Sequence, residues 1–432
     1  MDLLNRLMSQ AEQAEVVEIE SEDTMVGFEA NRLKSSRVDE TRGVAVRVIK
    51  NGRLGFSASS DRFATDKLVT NALESAAYGD PVALRFPGAH DAPRVDTFDE
   101  TIRQLPVSGL IEMGQEMLDI ILEAEPDAQV SMELQRGVQH ISLCNSAGAQ
   151  IAFDRSPLSI QLEVARVRGD DVLLLFEMTG VTLWAEEHRV RAQDLADRLR
   201  QARRAATLRS GRMPVLFSPT GALALGLPLM LGLNGKNVYT RNSPMVGKLG
   251  EKLFDTKITV IDDATLDGRF GSAPYDDEGL AHRPVTLVQE GVLRSFFWDL
   301  KTAAQAGVDS TGHGSRGLFN PPSPSPTNLL IQAGETPLAE MLAGVKEGLL
   351  ADVPLGLGQG NVISGAFSNN LGLAFKIENG EIVGRVKDVS IAGNIYDLLR
   401  DVSAISQETE WIYNNFRAPY ILLPDMNVVA KG

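Results

Sequence analysis

Five histidines and a set of acidic residues beside glycines are the side chains in this sequence best suited to hydrolytic chemistry. Zinc hydrolases place two histidines on one helical face beside a glutamate, because zinc binds neutral imidazoles and the carboxylate positions the attacking water. No HExxH or HExxxH segment occurs in the chain. The histidines are instead dispersed, at His90, His140, His188, His282 and His313.

One histidine does have an acid at helical spacing. Glu278 precedes His282 by one helical turn, but Gly279 and the residues around it are typical of a turn. We therefore expect these residues to form a loop or turn rather than to bind a metal. A wider set of acids could form a catalytic site that no motif identifies, although acids beside glycines more often stabilise turns. These acids are Asp262, Asp263, Asp276, Asp277 and Glu278.

Two further kinds of site receive little support. No serine lies in the G-x-S-x-G pattern of a nucleophile elbow, and Cys144 lies in an alternating run where a small core residue is the simpler interpretation. The glycines of segment 356–360 lack both the strand that precedes a dinucleotide-binding turn and the lysine of a phosphate loop. The motifs therefore favour neither nucleophilic catalysis nor nucleotide binding.

The composition is typical of a cytoplasmic protein that binds neither nucleic acid nor membrane. Lys and Arg total 42 against 57 Asp and Glu, so the 432-residue chain carries a formal charge of −15, which repels a phosphate backbone. A single cysteine fits a reducing compartment. We expect no export signal, because the first residues lack a basic start and an apolar run. The most apolar window, residues 221–233, is shorter than the ~20 residues that cross a bilayer.

Hydrophobic periodicity predicts an α+β fold of two domains, with mainly antiparallel sheets and flanking helices. Alternating apolar residues on both sides of Asn51-Gly52 predict a hairpin, and residues 109–125 have helical spacing. Four alternating runs between residues 128 and 184 predict an antiparallel meander. A charged helix is predicted after it, over residues 185–208.

We expect the charged helix to end an N-terminal α+β domain at residues 1–209. A β-rich C-terminal domain then covers residues 210–432, with a buried helix or elbow predicted over 221–233 and a helix over Pro337–Leu350. Segment 310–327 is dense in Ser, Gly and Pro. A loop of that length inside a compact domain is usually functional or mobile, so we expect it to border a binding site.

Five segments, taken in order, resemble the TldD/PmbA family, whose members have been described as modulators of DNA gyrase. The resemblance implies a cytosolic two-domain fold rich in antiparallel sheet. It also implies a protease system in which a TldD-type subunit carries zinc through HExxxH and a cysteine further along. The segments are residues 43–61, 260–279, 285–299, 376–382 and 391–399.

The sequence departs from the TldD-type pattern at the zinc ligands. The HExxxH positions fall on Gly226, Leu227 and Leu231, and segment 356–372 contains no cysteine. Glycine and leucine offer no electron pair to a metal, although they keep an apolar helix that can pack. The pattern resembles the PmbA branch, also called TldE, and implies a subunit with no metal, no other cofactor and no catalytic residue of its own.

The resemblance implies a function shared with a second subunit. A TldE-like chain pairs with a TldD-type metalloprotease subunit, helps to bind and present unfolded or small peptides, and forms a homodimer when alone. Two alternatives stay open: a regulatory interaction protein of the gyrase-modulator type, and an enzyme with an unrecognised site. We expect the acidic turn and the 310–327 loop to border the substrate channel. The candidate channel residues are Asp276, Asp277, Glu278, His313 and Asn320.

Overall fold

The computed structural model describes residues 2–61 and 63–431, and it has the α+β architecture predicted from the sequence. Its strands form two large sheets and one small pair. The first sheet comprises β1 (Gln13–Glu29), β2 (Arg32–Lys50), β3 (Arg53–Ser59), β4 (Gln129–Asn145), β5 (Gln150–Arg155), β6 (Leu158–Arg168) and β7 (Asp171–Val181).

Every pairing in this first sheet is antiparallel, in the order β3-β2-β1-β4-β6-β7, with β5 paired to residues 139–144 of β4, beside the stretch 129–136 that pairs with β6. The predicted hairpin at Asn51-Gly52 is confirmed and joins β2 to β3. Both of its residues have positive φ, as a two-residue hairpin turn of this kind requires.

The second sheet is mostly antiparallel and partly closes on itself. β8 pairs with both β15 and β20, so a ring runs β8-β15-β16-β18-β20. Its members are β8 (Gly211–Phe217), β9 (Val260–Asp262), β10 (Val285–Gln289), β11 (Val292–Leu293), β14 (Leu329–Ile331), β15 (Glu347–Pro354), β16 (Ala366–Glu378), β17 (Glu381–Arg385), β18 (Val389–Asn394), β19 (Ala404–Ile412) and β20 (Phe416–Ala430).

The predicted loop 310–327 contains the small pair, β12 (Gly314–Ser315) with β13 (Ser323–Pro324). The helices are mostly short, and among the described residues none is both long and apolar enough to span a membrane. They are α1 (Asp2–Met8), α2 (Thr65–Ala76), α3 (Glu100–Gln104), α4 (Val107–Ala124), α5 (Glu187–Gln201), α6 (Leu223–Leu233), α7 (Gly235–Tyr239), α8 (Leu300–Ala306), α9 (Leu338–Ala343), α10 (Ile395–Leu398) and a 3₁₀ turn (Val362–Ser364).

The helix predicted over Pro337–Leu350 is wrong in its second half. Helix α9 ends at Ala343, and the apolar run that follows is strand β15. This strand lies between β8 and β16 and is buried along nearly its whole length. A central strand reads as a continuous apolar run, which periodicity alone cannot distinguish from a buried helix.

One hydrophobic core is shared by the two sheets. Side chains of α4 and the first sheet, such as Met117 and Leu134, belong to the same buried cluster as Leu216 and Phe375 of the second sheet. Burial of this apolar surface holds the sheets against each other. A site between them therefore has fixed walls.

The outer part of β2 is an open edge. Strand β3 pairs only with residues 44–50, and residues 32–42 are exposed on both faces. Leu33 and Val38 are about half exposed there. An unpaired strand edge offers backbone donors and acceptors to another chain.

Candidate functional site

A cavity of about 260 Å³ lies between the end of β5 and the segments around β9, β12 and β13. It is the place where the predicted acidic turn and the two ends of the 310–327 loop meet. Polar side chains supply much of its wall. They are Arg155, Asp276, Asp277, His282, His313, Ser315, Ser325, Thr327 and Asn415.

The acidic turn at one wall is built by the carboxylate of Asp276. One oxygen accepts the amides of Glu278 and Leu280 at 3.0 and 2.8 Å, and the other accepts the Gly314 amide at 3.0 Å. Gly279 completes the turn at φ +85°, where a Cβ would lie 3.2 Å from Ile151 and Leu143 of the first sheet. The segment is therefore a turn, not the helix that a metal motif would need.

Burial changes the acidity of this turn. It raises the pKa of Asp276 well above its usual range, and the nearby charge of Glu278 raises that pKa further. Burial also raises the pKa of Asp277, whose carboxylate accepts the Arg316 amide at 2.9 Å. The carboxylates of Asp276 and Asp277 accept hydrogen bonds from backbone amides, and these bonds hold the wall in place.

Glu278 points away from the cavity into a buried ionic cluster. Arg47 donates two hydrogen bonds to Glu15, at 2.9 and 2.7 Å, and a third to Glu278 at 2.6 Å. Arg316 donates to Glu15 at 2.7 Å. Two guanidinium groups thus balance two carboxylates, and the side chains of this Arg47 cluster are at most 1% exposed.

The Arg47 cluster joins distant parts of the chain. Glu15 lies on β1 and Arg47 on β2, whereas Glu278 and Arg316 come from the second half of the sequence. Burial opposes ionisation of Glu15, but the charges of Arg316 and Arg47 outweigh burial and lower the pKa of Glu15. Arg316 and Arg47 therefore favour the ionised form of Glu15, whereas burial raises the pKa of Glu278 despite the charge of Arg47. The hydrogen bonds of the cluster fix the acidic turn to the first sheet.

Two histidines form the opposite part of the cavity wall. The Nε2 atom of His313 lies 3.1 Å from Asp262 Oδ1, and its Nδ1 atom lies 2.9 Å from the hydroxyl of Thr311. Burial, followed by the proximity of His313, lowers the pKa of His282 to about 4. His282 is therefore neutral at pH 7, and within the described residues no hydrogen bond reaches its ring.

The structure brings together some of the predicted site residues and separates others. Asp276, Asp277 and His313 line the cavity, whereas Glu278 faces the Arg47 cluster and Asn320 is exposed on the loop between β12 and β13. Their assignment to a substrate channel stays a prediction. Sequence reasoning gave no role to Arg155, which contributes to the wall from the end of β5.

The positions to which the resemblance assigns the zinc motif lie elsewhere, on helix α6, which the sequence predicted. Gly226 faces the buried ring of Phe416, where an added Cβ would lie 2.6 Å from Cζ. Leu227 lines a cleft of about 40 Å³ together with residues 356–359 and 366–369. These residues belong to the segment in which the resemblance implies a cysteine ligand that this chain lacks. Leu231 is half-buried.

These residues do not fit a zinc ion. Zinc takes imidazole, thiolate or carboxylate ligands, and the three motif positions supply none of them. Across residues 2–61 and 63–431, no three His, Cys, Asp or Glu side chains are grouped so that they could hold a metal. Helix α6 and the facing segment 356–369 are both ordered, but the three assigned positions hold apolar residues that pack and have no donor atoms.

Comparison with known families decides the relationship. Residues 210–430, just over half of the chain, match the model of the PmbA/TldA metallopeptidase C-terminal domain. The chain belongs to the TldD/PmbA family. Residues 14–77 match the first metallopeptidase domain of the same family. The resemblance carried by the five sequence segments is confirmed.

Relatives in this family cover nearly the whole chain. An uncharacterized protein of Methanocaldococcus jannaschii is 28% identical over 399 residues, which cover 90% of each chain. A metalloprotease of Methanothermobacter thermautotrophicus is 25% identical over 427 residues, covering 94% of this chain and 90% of that one. The crystal structure of TldE from Thermococcus kodakarensis shares the fold, with a TM-score of 0.90 at 22% identity over 99% of both chains.

Replacing the central arginine of the ionic cluster tests its structural role. Arg47→Met leaves Glu278 without its cationic partner, so we expect unfolding free energy to fall by about 3–5 kcal/mol, measured by urea denaturation. The surface variant Arg212→Gln, which breaks an exposed pair with Asp425, should cost less than about 1 kcal/mol. Similar losses for the two variants would contradict the assigned role.

His282 predicts a pH dependence of stability. Its pKa is about 4 in the folded chain, and the unfolded chain takes up this proton near the ordinary value of about 6.5. The unfolded state therefore gains protons first as pH falls, and this contribution to stability is lost between about pH 6.5 and 4. Between pH 7 and 5, His282→Gln should lose about 2 kcal/mol less stability than the wild type. If the unfolding free energies of the wild type and His282→Gln, measured by urea denaturation, fall equally between pH 7 and 5, the prediction is wrong.

Restoring the motif should not restore a protease. In the variant Gly226→His, Leu227→Glu, Leu231→His, the first imidazole must displace Phe416, which overpacks the core at a cost of about 1–3 kcal/mol. Segment 356–372 still offers no thiol as a third ligand. We expect lower stability and no zinc-dependent peptide cleavage. As a control, Leu231→His alone should be tolerated better than Gly226→His alone, and cleavage by the triple variant would refute the prediction.

Proposed function

We propose that this protein is a TldE-like, non-catalytic subunit of a TldD/PmbA peptidase. In this proposal it binds an unfolded or small peptide and presents it to the zinc of a TldD-type partner in the cytoplasm. The observation that carries the proposal is helix α6. The resemblance assigns the family's metal positions to Gly226, Leu227 and Leu231, and these residues are packed in an ordered helix.

The retained scaffold supports a role in shape rather than in bond cleavage. A metal site that loses its donors usually leaves cavities or unpaired polar groups unless apolar packing replaces it. In this chain Gly226 gives room to Phe416, and α6 contributes many buried side chains to the core of the second sheet. A chain built in this way can complete a chamber around a substrate.

An association with a second subunit is supported by the open edge of β2. Residues 32–42 bury no side chain in the single chain, although they form a regular strand against β1. A long open edge exposes the chain to uncontrolled pairing unless charges protect it or another chain covers it. We propose that a TldD-type subunit covers this edge in the complex and that a second copy covers it in a homodimer.

Reconstitution with a TldD-type chain from the same genome tests the proposal. The purified pair should cleave an unfolded reporter peptide, and neither chain alone should do so. A pair in which the glutamate of the partner's HExxxH is replaced by glutamine serves as the inactive control, because that carboxylate positions the attacking water.

Three outcomes would count against the proposal. Cleavage by this chain alone would indicate a catalytic site of its own. Equal cleavage by the TldD-type chain with and without it would remove the need for a second subunit. Failure of the two chains to co-purify would favour a regulatory binding function outside proteolysis.

A further inference from the structure

Arg155 is a half-buried arginine on the wall of this cavity. Its Nη2 atom donates to the carbonyl oxygen of Phe270, and its Nε atom is buried with no hydrogen-bond partner in the part of the chain that the structure describes. Within the described residues no carboxylate oxygen lies within ion-pairing distance of it. Four guanidinium groups that are more deeply buried, at Arg47, Arg166, Arg316 and Arg385, each contact at least one carboxylate.

A lone cation in such a place has an energetic cost. Arginine stays charged in proteins, so it cannot avoid the desolvation cost of its charge by losing a proton. Burial lowers the pKa of Arg155, and the more distant charge of Asp277 only partly offsets that effect. A charge that is withdrawn from water in a protein normally has a counterion beside it. Its position on the wall of a cavity suggests that the counterion is a ligand.

The groups around Arg155 restrict the kind of ligand. Asp276 directs both carboxylate oxygens to backbone amides, and one oxygen of Asp277 accepts the Arg316 amide. His282 is neutral at pH 7 and its ring has no hydrogen-bond partner among residues 2–61 and 63–431, so it can exchange a hydrogen bond with a ligand. A planar guanidinium with free donors is suited to a planar carboxylate, which it can bind through two parallel hydrogen bonds.

The size of the cavity restricts the ligand further. About 260 Å³ lies just below the ~300–1,000 Å³ that is typical of small-molecule pockets. The space fits a short piece of chain and excludes a folded partner. The end of a peptide, or one acidic side chain with its neighbours, meets both the size and the charge.

We propose that this cavity binds a carboxylate carried by a peptide, with Arg155 as the charged donor and His282 as the neutral hydrogen-bonding group. The inference rests on the proposed function in one respect, namely that the ligand is a peptide. The carboxylate is either the C-terminus of the peptide or an Asp or Glu side chain. The cavity would then fix one point of the substrate before the partner cleaves it.

Fluorescence anisotropy on the isolated full-length chain tests the proposal without any cleavage. The probes are an N-terminally labelled Gly-Ala-Ala tripeptide with a free C-terminus, the same tripeptide as its amide, and an amidated Gly-Ala-Asp tripeptide. We expect the free acid, or the amidated Asp peptide, to bind at least about tenfold more tightly than the amidated Gly-Ala-Ala peptide. Whichever of the two binds better identifies the source of the carboxylate.

Variants of Arg155 connect the preference to this cavity. Arg155→Gln should abolish the difference between acid and amide, and Arg155→Lys should retain part of it because the charge remains. The surface variant Arg212→Gln should behave like the wild type. Thermal melting should show that Arg155→Gln is as stable as the wild type or more stable, because the variant removes a charge without a counterion.

Several results would overturn the inference. Equal binding of acid and amide by the wild type would do so whatever the variants show. An acid preference that persists in Arg155→Gln would place the carboxylate elsewhere. In a competition experiment, inorganic phosphate that displaces the labelled acid as well as acetate does would indicate a general anion site. Unfolding of both Arg155 variants would make this arginine structural. Because no cleavage is measured, an inactive pair with intact acid preference would reject only the proposed function.

Discussion

The buried contact between Arg47, Glu15 and Glu278 is the interaction on which the candidate site depends. It joins two strands of the first sheet to the turn that carries Asp276 and Asp277, which lies more than two hundred residues further along the chain. An ion pair in such a position is stable only when its geometry satisfies both partners. Here the two oxygens of Glu15 and the three nitrogens of Arg47 are all bonded, so the cavity has one defined shape.

The second constraint is close packing at α6. In the TldD/PmbA family the resemblance places zinc ligands on this helix, and here the same positions hold residues without donor atoms. Gly226 allows the Phe416 ring to approach the helix backbone, so the space that an imidazole side chain would need is already filled. Packing at native density tolerates little extra volume. We therefore expect that a change of these side chains alone does not create a metal site.

Local patterns made much of the fold predictable. The Asn51-Gly52 hairpin, the four antiparallel strands β4 to β7 and helices α4 and α6 all follow from short-range periodicity and turn residues. The predicted meander is wrong in its order, because β6 pairs with β4 and not with β5. The strand at β15 was missed, because an apolar run buried between two neighbours has no period of its own. The domain division at residue 209 stays a prediction, since the two sheets share a core.

The site was less predictable because its residues meet only in the folded chain. Arg155 and His282 are far apart in sequence, and neither lies in a motif. For Arg47 a signal existed, since a charge within the apolar run of residues 44–49 must be paired when the strand is buried. Its partners could not be identified from the sequence, because pairing across more than two hundred residues depends on how the sheets pack.

The central claim is that this family member holds its substrate without a metal of its own. Elemental analysis of the full-length chain, purified without chelators and then incubated with zinc and desalted, tests it most directly. We expect a zinc content far below one ion per chain, because the three motif positions and segment 356–372 lack zinc ligands. One zinc retained per chain, with peptide cleavage that disappears on its removal, would contradict the account.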